Sequence, residues 1–117
     1  MHDFKRLVVW QRAYDLSVAL IPLVGRFTGP ARFALGDQMT RASISIASNI
    51  AEGSGRDSDR ELRRFLAIAL GSAYELETQI MLARDLGLLQ ADSASRCIGD
   101  VSEIQRMIHG LRKSIQT

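Results

Sequence analysis

Scarcity is the first feature of this 117-residue chain. It has a single cysteine, two prolines, two histidines and no run of apolar residues long enough to span a bilayer. One cysteine excludes an internal disulfide and predicts a reducing, cytoplasmic setting. The short polar start Met-His-Asp-Phe-Lys-Arg carries no apolar leader, so no signal peptide or membrane segment is expected. Two histidines cannot supply a di-iron bundle site, which needs two Glu-x-x-His pairs; Arg106 stands three residues before His109, and His2 is in the tail. Cys97 and His109 are twelve residues apart on one helical segment, about 18 Å at 1.5 Å per residue, so they form no nucleophile–base pair. No glycine pattern resembles a nucleotide-binding loop. The chain is expected to be no enzyme and to hold no metal or cofactor.

With so little proline and no alternating strand pattern, every periodicity present is helical. Residues 7–27 carry two apolar stripes: Leu7, Trp10, Tyr14, Ile21 and Val24, and beside them Val9, Ala13, Leu16, Leu20, Leu23 and Phe27. Such a helix is buried on more than one side. Pro22 is expected to bend it or leave a carbonyl unpaired, and Gly29-Pro30 to end it. Residues 35–51 place Met39, Ala42, Ile46 and Ile50 on a core stripe, with Gly53 and Gly55 as the stop. Ser58-Asp-Arg-Glu61 reads as a capping box. After it Leu62, Leu66, Ala69, Ala73, Leu76, Ile80 and Ala83 recur at spacings of four and three up to Gly87. Residues 93–115 repeat the spacing with Ala94, Cys97, Val101, Ile104, Ile108, Leu111 and Ile115, weakened by Gly99 and Gly110. Short connections between long amphipathic helices predict one all-α domain over residues 1–117, an antiparallel up-down-up-down four-helix bundle.

Two sets of polar residues carry the functional expectations. The first is a network on the middle helices formed by Gln38, Arg41, Asn49, Glu52, Ser72 and Glu75, with Glu77 nearby. Its bland reading is a buried ion pair between Arg41 and an acid of the third helix that fixes register; its functional reading is an anion held by Arg41. The second set is basic. Up-down topology gathers Lys5, Arg6, Arg56, Arg60, Arg63, Arg64, Arg112 and Lys113 at one end with Asp3, Glu52, Asp57, Asp59 and Glu61, eight cations against five acids. That end carries +3 while the whole chain carries only +2. The excess is modest in one copy and multiplies in a ring of copies, where it would attract RNA or DNA backbone. The first two helical segments, apolar on more than one side, predict such a self-assembly with these helices at its interface.

The strings "LVVWQRAYDL" (Leu7–Leu16), "QMTRASISIASNIAEGSGR" (Gln38–Arg56) and "RFLAIALGSAYELETQIMLARDLGLL" (Arg64–Leu89) closely resemble the four-helix proteins encoded in intervening sequences of bacterial 23S rRNA genes. The likeness covers roughly residues 4–90. It implies a bundle protomer that forms a homopentamer. It is also similar to the accessory proteins of diversity-generating retroelements, which form pentameric barrels and bind nucleic acid through a basic surface. Two departures each remove positive charge: Thr40-Arg41 stands where the family often has paired arginines, and Leu70 where it often has one. Ala47 replaces a frequent proline, which implies a straighter second helix. Two functional readings follow. One is a homo-oligomer touching nucleic acid through the basic end; the other is an interaction module for a protein partner.

Overall fold

The computed structural model describes residues 3–115; His2 lies outside them. A 3-10 turn, Phe4–Arg6, is opened by Asp3, whose carboxylate accepts from the Lys5 amide at 3.2 Å. Four helices follow: α1 (Val8–Val24), α2 (Arg32–Ser54), α3 (Asp59–Asp85) and α4 (Ala91–Ser114). Each packs on its sequence neighbours, and α1 also packs on α4, which closes the ring; α1 lies diagonal to α3, and α2 to α4. This is the all-α up-down-up-down bundle expected from the sequence, 46 × 21 × 20 Å. Its length suits α3, whose 27 residues span about 40 Å at 1.5 Å each.

The core is the set of stripes read from the spacing. All seven seam residues of α3, from Leu62 to Ala83, are buried, as are Met39, Ala42, Ile46 and Ile50 of α2 and Ala94, Cys97, Val101, Ile104 and Ile108 of α4. On α1 the stripe Val9, Ala13, Leu16 and Leu20 turns inward. The α1 stripe containing Trp10, Tyr14 and Ile21 stays at the surface of the protomer, half-buried or exposed.

Helix ends show where local chemistry differs from the sequence reading. α1 stops at Val24, short of Phe27, where the chain tightens: Arg26 donates to the Leu23 carbonyl and Phe27 to that of Val24 at 3.1 and 3.0 Å. Gly29, at φ 85°, makes the turn into α2. α2 runs past Gly53, so that glycine is not its stop. Gly53 is buried inside the helix because α3 crosses there: a Cβ built on it would lie 2.7 Å from the Phe65 Cβ. The stop falls at Gly55, whose amide reaches the Ala51 and Glu52 carbonyls. Ser58 caps α3 by accepting from the Glu61 amide at 3.1 Å. Only this half of the capping box forms, since the Glu61 carboxylate engages Arg64 instead. α3 ends at Gly87 (φ 77°), with the Leu88 amide bonded to the Ala83 carbonyl and the Gly87 amide to that of Arg84, a Schellman closure.

Candidate functional site: a basic end and an apolar groove

The basic end is built by the turn after α2, the first two turns of α3 and the last turn of α4. Arg60, Arg63 and Arg64 recur at three and four residues along α3, so they share one side of its first two turns. Arg112 reaches the same place from the end of α4, and these four with Ser58 and Glu61 line one open concavity of about 520 Å³. The Arg63 guanidinium donates to the backbone carbonyl of Arg112, which also accepts from the Ile115 amide at the end of α4. Arg64 pairs with Glu61 at 2.9 Å, and its hydrogen bond holds the Glu61 carboxyl below the usual carboxylate range. Both are too exposed for that pair to add much stability. Arg112 is half-buried, and its Nε is a buried donor with no hydrogen-bond partner among the described residues.

The eight cations do not form one cluster. Arg56 turns back along α2 to Glu52 at 2.8 Å, and its guanidinium lies 4.9 Å from the centre of the Phe65 ring. Arg64 lies 4.6 Å from the same ring. Lys5 and Arg6 ride on the 3-10 turn, where Arg6 approaches Asp3 at 3.9 Å. They belong to the α1 corner of the bundle, diagonal to α3, and do not line the concavity. Lys113 is exposed beside Arg112 and does not line it either. Linear order gives which end a residue occupies; the cyclic order of helices decides which corner.

The expected buried polar network needs correction. Gln38, Arg41, Glu52 and Glu75 are exposed, and Arg41 has no ion pair among the described residues. Arg41 precedes Ala42 by one residue, a rotation of about 100° that takes it off the core stripe. Only Asn49 and Ser72 are half-buried, and they are joined through Ser45, a residue the sequence reading did not single out. Ser45 Oγ lies 2.8 Å from Ser72 Oγ, and the Asn49 amide donates to the Ser45 carbonyl at 2.8 Å. The link between α2 and α3 is therefore neutral. A second link was also missed: Gln105 of α4 donates to Glu77 of α3 at 2.7 Å. The signal was a glutamine next to the Val101–Ile104–Ile108 stripe.

The second surface is an apolar groove of about 580 Å³ between α1 and α2. Phe4, Trp10, Tyr14, Val18, Ile21 and Pro22 form one wall and Ile44 the other, with Ala47, Ser48 and Ala51 as small residues between them. Trp10 stacks edge-on to Phe4 and tilted to Tyr14, both at 5.1 Å, which fixes the aromatic end. Tyr14, Val18 and Ile44 remain 52, 59 and 47% exposed. The sequence reading placed an assembly face on these two helices, and the groove is one place where the protomer leaves apolar side chains uncovered; Phe33 on α2 and Ile68, Met81 and Leu82 on α3 are exposed elsewhere. Ser17 Oγ, also lining the groove, is buried without a partner among the described residues.

The residues tested for chemistry serve elsewhere. Cys97 is buried, and burial pushes its thiol above the ordinary value, with Asp100 acting in the same direction, so little reactive thiolate forms. His109 is exposed, its Nε2 3.0 Å from the Tyr74 hydroxyl. No three metal-ligating side chains converge among the described residues. No helix among them is long and apolar enough to cross a membrane.

Comparison with known proteins agrees with this architecture. No curated protein matches the chain. A crystal structure of a protein with unknown function from the S23 ribosomal protein family of Bacteroides thetaiotaomicron superposes with a TM-score of 0.85 at 23% identity, over 92% of this chain and 100% of the other. At that identity the likeness speaks for the fold. The family described as 23S rRNA-intervening sequence protein matches residues 5–110, nearly the whole bundle. The chain belongs to the 23S rRNA-intervening sequence protein family.

Proposed function

We propose that this protein is a non-catalytic helical bundle that assembles with copies of itself, in a ring of five as the sequence resemblance implies, and presents its basic end to the phosphate backbone of RNA or DNA in the cytoplasm. The observation that carries the reading is the concavity at that end, where Arg60, Arg63 and Arg112 have no ion pair with an acid among the described residues. Backbone contacts of this kind are read by charge and carry no sequence information. Assembly gives the charge its effect. One copy has a net charge of only +2, whereas repeated arginine ends produce a field that a polyanion meets several times over. The α1–α2 groove is the proposed contact, because it is an apolar concavity whose walls leave Tyr14, Val18 and Ile44 exposed.

The test is binding of a short single-stranded RNA at several salt concentrations. Three neutralised phosphates give a slope of about −2 in log K against log salt, which is roughly a 20-fold weakening for a fourfold rise in salt. Replacing Arg56, Arg60, Arg63 and Arg64 by glutamine should flatten that slope and leave the oligomer intact. A second reading, a module for a protein partner, draws on the pairing of Arg6, Arg56 and Arg64 with acids, which leaves the end less positive than its arginine count. Absence of RNA and DNA binding even at low salt would give that reading precedence.

A further inference from the structure

We infer that the concavity between the start of α3 and the end of α4 is a discrete binding site for a single phosphate group, held by Arg60, Arg63 and Arg112. The inference rests on the phosphate reading above and narrows it from a charged end to one corner of the bundle. Three features of the corner support it. First, the site is concave and joins two elements, with about 520 Å³ of space among its lining side chains. Second, its charge is not compensated by any acid among the described residues where it counts. Glu61, the one acid of the lining, is bonded to Arg64, while Asp57 and Asp59 do not line the space. That leaves three guanidinium groups, whose forked donors match the oxygens of a phosphate. Third, Arg112 Nε is buried with no partner among the described residues. A buried unsatisfied donor on a cation is costly, and a shift of the Arg112 side chain toward the concavity would let an anion there satisfy it. Arg63 is already fixed, because its bond to the Arg112 carbonyl ties the two helices together. A phosphate arriving there would meet one arginine set in place by the fold.

The phosphate could be a terminal monoester of a nucleic acid or an internal diester of its backbone. The intact protein would be titrated with inorganic phosphate, then with one short RNA carrying either a 5′-phosphate or a 5′-hydroxyl. Arg63 is left alone because it holds the end of α4. The expectation is saturable phosphate binding that Arg60→Gln with Arg112→Gln weakens about tenfold or more, as loss of charge-assisted hydrogen bonds should. Lys5→Gln with Arg6→Gln, on the diagonal corner, should change it less than about twofold. Helix content by circular dichroism checks that both variants fold. A clear preference for the 5′-phosphate assigns the site to a chain end, and equal binding of both RNAs assigns it to the backbone. No saturable phosphate binding, or equal loss in both double variants, overturns the site. If RNA still binds in that case, the broader basic-end reading survives without it. Phosphate binding without RNA binding would do the reverse.

Discussion

Gly53 offers a sharp test of how α2 and α3 meet, and so of how the arginine-bearing turn is placed. In most helices Gly→Ala stabilises, by about 1 kcal/mol, because alanine loses less backbone freedom. Here the added methyl carbon would lie 2.7 Å from the Phe65 Cβ, 3.2 Å from the Leu62 Cδ1 and 3.4 Å from the Leu62 carbonyl oxygen. Carbon atoms pack best at about 3.5–4.0 Å. Leu62 can rotate its methyl away, but the Phe65 Cβ is fixed to its backbone, so the helices must move apart by most of an ångström. Overpacking of this kind costs about 1–3 kcal/mol, and a backbone clash belongs at the upper end. The net expectation for Gly53→Ala is a loss of about 1–2 kcal/mol. Gly99→Ala is the control. That glycine is on α4 with nothing within 4 Å of an added methyl, so the same change should stabilise by about 0.5–1 kcal/mol. Urea unfolding of both variants at one fixed protein concentration would read the difference, about 1.5–3 kcal/mol. A Gly53→Ala protein as stable as Gly99→Ala would refute the close crossing.

Other outcomes follow from the same geometry. Arg41→Ala should change stability by no more than about 0.5 kcal/mol, because Arg41 is solvent-facing; a thermal shift equivalent to about 3–5 kcal/mol would mean that it is half of a buried pair after all. Cys97 should react with a thiol reagent far more slowly in the folded protein than in urea, since its thiol is buried and held protonated. The same group predicts a pH effect with a definite sign. The folded protein holds the thiol proton more tightly than the unfolded chain, so this contribution is complete below the ordinary thiol value of 9.0 and fades as pH rises through the higher folded value. Urea midpoints at about pH 8 and about pH 10, each compared with Cys97→Ala, should show the native advantage shrinking at the higher pH.

The bundle was legible because its core depends on spacing alone: the α3 seam from Leu62 to Ala83 repeats at four and three residues, and nothing else satisfies that pattern but a buried helix face. Ser58 was legible for a local reason, since a serine before a helical run caps it wherever the run goes. Gly53 was misread because a glycine that ends a helix and one that admits a neighbouring helix look alike until the neighbour is placed. Arg41 was misread because a one-residue phase error moves a side chain by about 100°, from the core stripe to water. The arginine end was visible as composition and topology, but its division was not. Whether Lys5 and Arg6 join Arg60 and Arg63 depends on α1 lying diagonal to α3, a property of the closed ring of helices. The groove was half legible: the second stripe of α1 announced an uncovered face, and the structure shows Val18 and Ile44 completing it.

The proposal depends most on self-assembly through that groove, because one copy alone carries little net charge. Light scattering of the purified protein at micromolar concentration measures it directly, with Ile44→Asp as the companion sample. The account expects a particle several times the 13.0 kDa chain mass, five copies by the resemblance, and a shift of Ile44→Asp toward a single chain with its helix content retained. A native protein running at 13.0 kDa would contradict the account at its centre.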